Sequence, residues 1–351
     1  MKKIFAAFSK GSFKKEPLKM LEVFRLAAQS NAKIPLQTLK QIKKDAKLIS
    51  LIPPKTIKEE FTTILSCQKS APIIELMDNA GLLARILPEI KIMKKADKRY
   101  YYHPKGLFQH SFESYEALEQ ILKNINKFFP KNAKDIKEHL ADNSSLDISK
   151  EALMKLAILF HDNAKPETAT KEDGKIRFIG HETRGARKIK GILKNLSMSK
   201  KDSDFIVKLV LRHMRPSTLT KNEIITKKAA NRFFRDIDSL VIEQILISMA
   251  DWHSYKRLKI HSPKELKKQQ SAAAGLIEDY YIMKNQKPLI KIIDGHKIMK
   301  KYHLKPGPWI GDLLKMVVKK QYSGKIADEK AAFELISSKL TQIKKKYKIA
   351  P

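Results

Sequence analysis

The sequence predicts an all-α protein made of several helical units. Glycine is scarce, with 12 residues among 351, and Leu, Ile, Lys, Ala and Glu dominate, a composition that favours helices over strands. Apolar residues recur at spacings of three and four along most of the chain, which is the pattern of amphipathic helices. The length exceeds the roughly 100–200 residues of one typical domain, so we expect two or three units.

The first predicted helices follow a short basic segment, residues 1–15. The first helix follows Pro17, because proline is favoured at an early helix position, and the second covers about residues 36–48. The third begins after Pro53-Pro54, and the fourth stops near Gly81, a residue type that often ends helices.

A connector and a boundary loop are predicted next. Ile86-Leu87-Pro88 indicates a short connector, and the polar and aromatic residues 95–106 indicate a loop. We therefore assign the N-terminal helical domain to residues 16–95.

The central domain, residues 96–262, is predicted to be helical and contains all the candidate ligands. Residues 166–180 are expected to form its long internal loop, with a short extended piece at 175–179. A helical C-terminal domain, residues 263–351, is expected to begin with a helix at Pro263.

The net charge is a second compositional signal. The chain has 71 Lys and Arg residues against 37 Asp and Glu residues, a formal charge of +34. Such a field attracts polyanions such as RNA, nucleotides or acidic membrane surfaces. The excess is mostly lysine and is spread along the chain, as in Lys344-Lys345-Lys346. A basic solvated surface from a lysine-rich proteome therefore stays open as the alternative.

Cysteine content and hydropathy indicate the compartment. Cys67 is the only cysteine, which excludes an intramolecular disulfide and argues against thiolate zinc sites. No apolar stretch approaches the roughly 20 residues that span a membrane, and the apolar run at residues 4–8 is too short for a secretory signal. We therefore expect a cytoplasmic protein without membrane attachment.

His161-Asp162 is the most informative pair in the chain. It closes an apolar run predicted to be helical, and imidazole and carboxylate groups are ligands that hard-to-borderline divalent metals accept. Asp251 falls within the apolar stripe of a later predicted helix, where an ionised carboxylate is costly unless it is paired or bound to metal. The alternative for Asp251 is an ion pair at the edge of that stripe, with a neighbour such as Arg257.

Three further histidines have similar placements. His110 begins the long central helix, His181 opens a later helix, and His213 follows an apolar stripe. Each is a weak signal alone, because a lone histidine is more often a core or helix-start residue than a ligand. Together with the His161-Asp162 pair and Asp251 they make six ligand-type residues in one predicted domain, which we interpret as a metal site.

Four basic residues lie beside these candidates in the sequence. Lys165 follows Asp162 by three residues, so it is expected to stabilise charge on a phosphoryl oxygen, with an ordinary salt bridge to Asp162 as an equal alternative. Arg184, Arg212 and Arg215 flank the other candidates. Arginine suits bidentate phosphate recognition, so these three are candidate substrate-binding residues, although surface arginines are common.

The ligand set predicts metal-assisted hydrolysis. A divalent metal acidifies its bound water by several pK units and gives hydroxide near neutral pH, and a phosphate ester is the natural substrate on a basic protein. The ligands favour Mg, Mn, Ni, Co or Fe over structural zinc but do not decide among these metals.

The order of these residues resembles the signature of the HD superfamily of metal-dependent phosphohydrolases. That signature is a histidine, a distant His-Asp pair and a distant aspartate, here His110, His161-Asp162 and Asp251. The segment 159–166 keeps the ligands, but Asn163 and Ala164 stand where the family usually has an apolar residue and glycine.

Further segments narrow the resemblance to bacterial CCA-adding tRNA nucleotidyltransferases and poly(A) polymerases. These segments are residues 16–29 and 57–88 for the neck, 180–186 with His213 for the HD domain, and 294–295 with 305–311 for the C-terminal helices. The resemblance covers about residues 16–340. It implies that Lys19 and Arg25, in the neck, bind RNA.

The same enzymes begin with a nucleotidyltransferase head that carries a glycine-rich turn and an Asp-x-Asp metal pair. This chain resembles them only from the neck onward. Asp202-Ser203-Asp204 and Asp236-Ile237-Asp238 have the spacing but are predicted to lie in helices. Nucleotide addition by this chain alone is therefore not expected.

The resemblance also implies roles for the site residues. His110, His161, Asp162 and Asp251 are expected to bind the principal metal. His181 and His213 are expected to bind a second metal or a phosphate, and Asp162 and Lys165 are expected to act in catalysis.

Two functions stay open. The first is a phosphatase or 2′,3′-cyclic phosphodiesterase that acts on nucleotides or RNA ends in tRNA processing. The second is a non-catalytic tRNA- or RNA-binding body of a split nucleotidyltransferase whose head is a separate subunit. The six ligand-type residues favour the enzyme, because a pure binding scaffold has no physical need for them.

Overall fold

The structure is helical, as the sequence predicts. This computed structural model describes residues 12–96, 106–220, 225–255, 260–285, 292–322 and 324–347. Within these residues the only sheet is a two-stranded hairpin, so the predicted fold class is confirmed. None of the described helices is both long and apolar enough to cross a lipid bilayer.

The chain divides into two compact units, residues 1–280 and 281–351. The helices of the first unit are α1 (Ser12–Lys15), α2 (Lys19–Ser30), α3 (Leu36–Asp45), α4 (Pro54–Ser66), α5 (Ala71–Asn79), α6 (Leu83–Ile86), α7 (Glu89–Lys95), α8 (Leu107–Lys123), α9 (Ile125–Phe128), α10 (Ala133–Ala141), α11 (Lys150–Leu159), α12 (Lys165–Thr168), α13 (His181–Asn195), α14 (Lys200–Arg212), α15 (Met214–Thr220), α16 (Lys227–Ile237) and α17 (Val241–Ser254). Helix α18 (Pro263–Asn285) crosses the boundary, and α19 (Gly295–Tyr302), α20 (Pro308–Tyr322) and α21 (Glu329–Tyr347) belong to the second unit.

The four-part division into residues 1–15, 16–95, 96–262 and 263–351 stays a prediction. Most of the segment 1–15, residues 97–105 of the expected boundary loop, and Arg257 lie outside the described residues.

The N-terminal helices form because their apolar faces pack together. Helix α2 lies against α4, and Phe24 and Phe61 on these helices are fully buried. Pro54 is the first residue of α4, where its missing amide hydrogen costs no helical hydrogen bond. The connector expected at residues 86–88 is shorter than predicted, because α6 ends at Ile86 and α7 begins at Glu89.

Helix α11 is the central helix of the first unit. Every residue in it except Glu151 is buried, and it packs against α4, α8 and α14. Helix α8 also packs against α17. Helix α11 is thus buried on nearly all sides, so the residues that follow it lie inside the unit.

The His161-Asp162 pair lies just outside the helix in which it was predicted. Helix α11 ends at Leu159, and a turn leads to α12 at Lys165. Pro166 has no amide hydrogen, so an unbroken helix cannot form here. The amide of Lys165 donates to the carbonyl of Asp162 at 2.9 Å instead, and this turn places Lys165 beside the pair.

The loop expected at residues 166–180 contains an antiparallel hairpin. Its strands are β1 (Thr170–Glu172) and β2 (Lys175–Arg177), with Thr170 opposite Arg177. Asp173 and Gly174 both have positive φ values, 48° and 73°, and Asp-Gly is a favoured hairpin turn. The extended piece predicted at 175–179 is present as β2, whereas its partner strand was not predicted.

The second unit has a core of its own. Ile298 of α19, Val317 of α20 and Ile336 of α21 are fully buried together. The Asp294 side chain caps α19 by accepting a hydrogen bond from the amide of Lys297 at 2.9 Å. The core of the second unit is therefore built from all three helices.

Candidate metal centre

The predicted ligands meet at the ends of five helices. His110 lies in the first turn of α8, His181 is the first residue of α13, and His213 directly follows α14. Asp251 lies in the last turn of α17, and His161-Asp162 occupies the turn after α11. All six residues that the sequence singled out come together in the structure.

The first ligand group contains His110, His161 and Asp251. Nε2 of His110 lies 3.2 Å from Oδ1 of Asp251, and Nε2 of His161 lies 3.7 Å from the same oxygen. Oδ2 of Asp162 approaches these two nitrogens at 3.4 and 3.2 Å. The four residues expected to bind the principal metal therefore form one cluster.

The second ligand group contains Asp162, His181 and His213. Oδ1 of Asp162 lies 3.3 Å from Nε2 of His181 and 3.5 Å from Nε2 of His213. The two imidazole nitrogens are 3.2 Å apart. Asp162 therefore presents one carboxylate oxygen to each group.

The main chain orients three of the four histidines. Nδ1 of His161 lies 2.7 Å from the carbonyl oxygen of Ile158, Nδ1 of His181 lies 2.6 Å from that of Phe178, and Nδ1 of His213 lies 2.7 Å from that of Val210. A carbonyl oxygen only accepts hydrogen bonds, so Nδ1 is the donor in each ring. In the neutral tautomer Nε2 then carries the lone pair that a metal takes.

Burial and charge oppose each other in this cluster. Burial disfavours the protonated form of His161, but Asp162 and Asp251 outweigh burial and raise the pKa of His161 to about 10. Burial also opposes ionisation of Asp162, yet His161 and Lys165 lower the pKa of Asp162 well below its usual value. Burial lowers the pKa of His213. The carboxylates of Asp162 and Asp251 therefore favour a positive charge within this buried cluster.

The donor set and its spacing fit a divalent metal. Oδ1 of Asp162 is buried and has no hydrogen bond within the described residues, and a buried polar atom without a partner costs about 1–3 kcal/mol. Metal–ligand distances of roughly 2.0–2.2 Å limit two ligands of one ion to a separation of roughly 4.4 Å. The separations of 3.2 to 3.7 Å within the groups meet that limit.

Lys165 lies at the edge of the cluster. Its Nζ is 2.5 Å from Oδ2 of Asp162, and its side chain is 18% exposed. The ammonium group also lies 5.4 Å from the centre of the Phe178 ring. This ion pair is the alternative that the sequence left open, and a role of Lys165 in stabilising phosphoryl charge stays a prediction.

The arginines expected to bind substrate contact other residues in the structure. Arg184 donates to Glu167 at 2.7 Å, and Arg215 pairs with Asp236 at 2.5 Å. Arg212 is the last residue of α14, directly before His213. Their roles in substrate binding stay predictions.

The two neck residues expected to bind RNA are partly engaged in ion pairs. Lys19 pairs with Glu16 at 2.7 Å, and Arg25 pairs with Glu60 at 2.6 Å. These contacts connect neighbouring side chains of the N-terminal helices. RNA binding by Lys19 and Arg25 stays a prediction.

Ser254 is a site residue that the sequence analysis did not assign. Its hydroxyl oxygen lies 3.3 Å from Nδ1 of His110, and it donates to the main-chain oxygen of Asp251 at 2.6 Å. The fourth histidine is therefore oriented by a side chain. The available signal was the spacing of three residues from Asp251, which places Ser254 on the same helix face.

Two segments of the chain match known protein families. Residues 32–93 match the family described as "Probable RNA and SrmB- binding site of polymerase A", and residues 107–256 match the HD domain. All six ligand-type residues lie within the second segment. The resemblance to an HD domain behind a polymerase-like neck is therefore confirmed.

Curated relatives extend the likeness over most of the chain. This chain is 25% identical over 322 residues to the CC-adding tRNA nucleotidyltransferase of Thermus thermophilus. The alignment covers 90% of this chain and 64% of that protein. The chain is 21% identical over 234 residues to the bifunctional uridylyltransferase/uridylyl-removing enzyme of Rhodopseudomonas palustris, covering 65% of this chain and 23% of that protein. The chain thus spans less than two thirds of the length of these relatives.

Solved structures share the fold. The CCA-adding enzyme of Thermotoga maritima complexed with tRNA has a TM-score of 0.54 at 15% identity, over 94% of this chain and 62% of that chain. A complex of a CCA-adding enzyme with CTP has a TM-score of 0.52 at the same identity, over 94% and 61%. The helical architecture is therefore that of the corresponding part of CCA-adding enzymes.

Proposed function

We propose that the HD domain of this chain is a metal-dependent phosphohydrolase, a phosphatase or 2′,3′-cyclic phosphodiesterase that acts on nucleotides or RNA ends. The observation that carries the proposal is Asp162, a buried carboxylate with one oxygen toward each of two ligand groups. Four imidazoles and a second carboxylate around it have a large desolvation cost. A bound metal ion would offset that desolvation cost, whereas RNA binding alone does not require these buried groups.

Each group of side chains has a defined task in this proposal. His110, His161 and Asp251 hold one divalent ion, His181 and His213 hold a second ion or the phosphate, and Asp162 serves both. An ion bound there supplies an acidified water and a Lewis acid for the phosphate oxygens. In His161, His181 and His213 the proton stays on Nδ1, which donates it to a main-chain carbonyl, and Nε2 keeps its lone pair for the metal.

Lys165 supplies positive charge at the edge of this cluster. Its ammonium group already lies against Oδ2 of Asp162 and is within reach of solvent. A phosphoryl oxygen that gains negative charge beside Asp162 would be stabilised by the same group. Arg184, Arg212 and Arg215 are the nearest arginines in sequence for further phosphate contacts.

The names of the relatives support both hydrolysis and RNA as substrate. One group of relatives is named for adding and removing a uridylyl group, and others are named for tRNA. The segment 32–93 matches an RNA-binding family, and the charge of +34 would attract a polyanion. We therefore propose RNA, with tRNA as the leading candidate, as the partner of the N-terminal helices.

The proposal is tested by metal analysis and a substrate screen on the purified chain. Phosphomonoesters and 2′,3′-cyclic nucleotides are offered with Mg, Mn, Ni, Co or Fe, and we expect hydrolysis that depends on the metal. Asp162→Ala should abolish both hydrolysis and bound metal. Asp135→Ala, an exposed aspartate of α10, is the matched control and should behave as the unmodified chain. Metal-dependent activity that survives in Asp162→Ala refutes the assignment.

A second candidate is a non-catalytic RNA-binding body of a split nucleotidyltransferase. The likeness to a CC-adding enzyme over 90% of the chain favours it. Its test is to look in the neighbouring reading frames for a separate head and to measure nucleotide addition to tRNA with both chains present. Addition that requires both chains, without metal-dependent hydrolysis by this chain, would establish the second candidate over the first.

We assign no nucleotide addition to this chain alone. Asp202-Ser203-Asp204 lies within α14, and Asp236-Ile237-Asp238 ends α16. Asp202 is buried and accepts hydrogen bonds from Ser199 and from the amide of Asp147. One aspartate of each pair already has a structural contact, Asp202 with these groups and Asp236 with Arg215.

A further inference from the structure

A row of aromatic rings leads away from the metal centre. Tyr255 stacks on His110 with ring centroids 4.9 Å apart and an interplanar angle of 22°. His261 meets Tyr255 edge to face at 5.7 Å, and Trp252 stacks on His261 at 4.1 Å with an angle of 23°. We call Trp252, Tyr255 and His261 the aromatic row.

The aromatic row lies on the accessible side of the centre. Asp251 has a side chain that is 23% exposed, whereas the side chains of the other five ligand-type residues are at most 7% exposed. Trp252 directly follows Asp251 in α17. Tyr255 stacks on His110, whose Nε2 lies 3.2 Å from Asp251. The aromatic row therefore begins at His110, a neighbour of Asp251, which is the most exposed of the six ligand-type residues.

Burial separates the aromatic row from an ordinary core cluster. The three rings are partly exposed, whereas core aromatics of the same unit such as Tyr115, Phe129 and Phe160 are fully buried. A flat stack of Trp252 on His261 also offers π-faces, which stack on any nucleobase irrespective of its hydrogen-bonding edge. The arrangement suits a neutral aromatic ligand better than a phosphate, since none of the three side chains carries a fixed positive charge.

We propose that the nucleobase of the substrate stacks on an outer face of the Trp252–His261 pair while its phosphate lies at the metal centre. A nucleotide carries its phosphate and its base on opposite sides of one ribose, which matches a charged cluster beside an aromatic row. The inference rests on the proposed phosphohydrolase function and deepens it. It names a substrate with an unstacked base, either a mononucleotide or the last nucleotide of a single-stranded RNA.

Binding is tested first, because it does not depend on hydrolysis. The chain has two tryptophans, Trp252 and Trp309, and Trp309→Phe leaves Trp252 as the sole tryptophan reporter. Titration with 5′-AMP is expected to quench its fluorescence, whereas ribose 5-phosphate, which lacks the base, is expected to leave it unchanged. The Trp252→Phe variant keeps only Trp309 and should show no quenching by 5′-AMP. Equal responses to both ligands, or no response to 5′-AMP, would overturn the inference.

Kinetics then separates base recognition from phosphate chemistry. Removing one stacked base contact typically lowers affinity about tenfold, so Trp252→Leu should lower kcat/KM for 5′-AMP by about that factor and leave kcat/KM for ribose 5-phosphate unchanged. Trp252→Phe should restore most of the loss, because it keeps a π-face. If Trp252→Leu does not fold, His261→Ala provides the same comparison.

The remaining outcomes are distinguishable. Hydrolysis of both ligands with equal efficiency keeps the phosphohydrolase and refutes the aromatic row as a base site. Quenching by 5′-AMP without metal-dependent hydrolysis of 5′-AMP or of any 2′,3′-cyclic nucleotide keeps the base site and refutes the phosphohydrolase. A single-stranded oligoadenylate that quenches at lower concentration than 5′-AMP identifies an RNA end as the source of the base, and the reverse order identifies a mononucleotide.

Discussion

At the scale of single residues, Ser254 orients His110 in the way that carbonyl oxygens orient the other three histidines. Ser254→Ala leaves Nδ1 of His110 without this partner. Loss of such a supporting contact typically costs about 10- to 100-fold in metal affinity, and we expect a loss in that range from a metal titration. Ser248→Ala is the matched control, because Ser248 is buried in the same helix and its hydroxyl has no hydrogen bond within the described residues.

Proton release from His161 gives the centre a pH dependence. Asp162 and Asp251 raise the pKa of His161 to about 10 against the effect of burial, so without metal the ring is protonated at neutral pH. A metal takes the lone pair of Nε2, and binding must therefore expel the proton. Apparent affinity should rise with pH up to about 10, by about tenfold per pH unit.

Calorimetry checks the sign of this effect. Metal is titrated near neutral pH into two buffers with different ionisation heats, and the difference in observed heat should correspond to about one proton released per ion at the first group. Identical heats in the two buffers would mean that His161 is already neutral.

Replacing Asn163 with an apolar residue should stabilise the protein. It is fully buried, and both its side-chain atoms lack hydrogen bonds within the described residues. Asn163→Leu keeps the branched shape and removes the unpaired amide, so the free energy of unfolding should rise by about 1–3 kcal/mol. Chemical denaturation measures it, with the exposed Asn195→Leu as the control. A fall in stability would overturn this prediction.

The glycine opposite Asn163 supports this reading of the packing. A Cβ atom at Gly185 would come within 2.7 Å of Oδ1 of Asn163, so the two positions are fitted to each other. The related family usually has an apolar residue at the position of Asn163. The Asn163 side chain is accommodated because α13 has glycine at the point of contact.

At the scale of helices, a buried ion pair joins α4, α5, α8 and α11. Nζ of Lys155 lies 2.8 Å from Oε1 of Glu119 and donates to the carbonyl oxygens of Leu65 and Cys67. Glu119 accepts from the amides of Ser70 and Ala71. One ion pair thus satisfies the last carbonyls of α4 and the first amides of α5, groups that have no partner within their own helices.

Removing the lysine should cost more than an average substitution. Lys155→Met leaves Glu119 buried without its counter-charge, and breaking a buried pair in this way costs about 3–5 kcal/mol. Denaturant unfolding measures the loss, and Lys134→Met at an exposed position of α10 is the control. A loss below about 1 kcal/mol would mean that water replaces the lysine.

The helices could be predicted better than the elements around the site. Periodicity locates α2, α4 and α13 because each buries one apolar face, and a local pattern suffices for that. The helix end at Leu159 was not located, because the sequence analysis ended this helix at Pro166, and a proline removes only the helical hydrogen bond to the carbonyl four residues earlier. Strand β1 is three residues long, too short for an alternating pattern, so Asp173-Gly174 was its only signal.

At the scale of the whole molecule, the sequence predicted that six ligand-type residues belong together, but not their geometry. Residue type and helix-end placement pointed to these six residues, and their role as metal ligands stays a prediction. The sharing of Asp162 between two groups depends on the packing of α8, α14 and α17 around α11 and of α13 against α14. This packing joins residues 141 positions apart in the case of His110 and Asp251. No local sequence pattern contains that information.

The net charge of the chain gives a salt-dependent prediction. If RNA is the partner, the logarithm of affinity falls linearly with the logarithm of salt concentration. The double substitution Lys19→Gln and Arg25→Gln should weaken binding and reduce the slope by about 1–2. Lys134→Gln with Lys137→Gln on exposed positions of α10 changes the charge equally and is the control. Equal effects of both pairs, or a flat salt dependence, would indicate an unspecific basic surface.

The orientation of three histidines by main-chain carbonyls affects how this centre tolerates substitutions during evolution. A substitution at Ile158, Phe178 or Val210 alters a side chain but leaves the carbonyl that orients the neighbouring ring. Random mutation therefore has few ways to disorient three of the four imidazoles without replacing them. Variation should accumulate around these histidines while the ligands persist, and Ser254 should be the supporting position that drifts least.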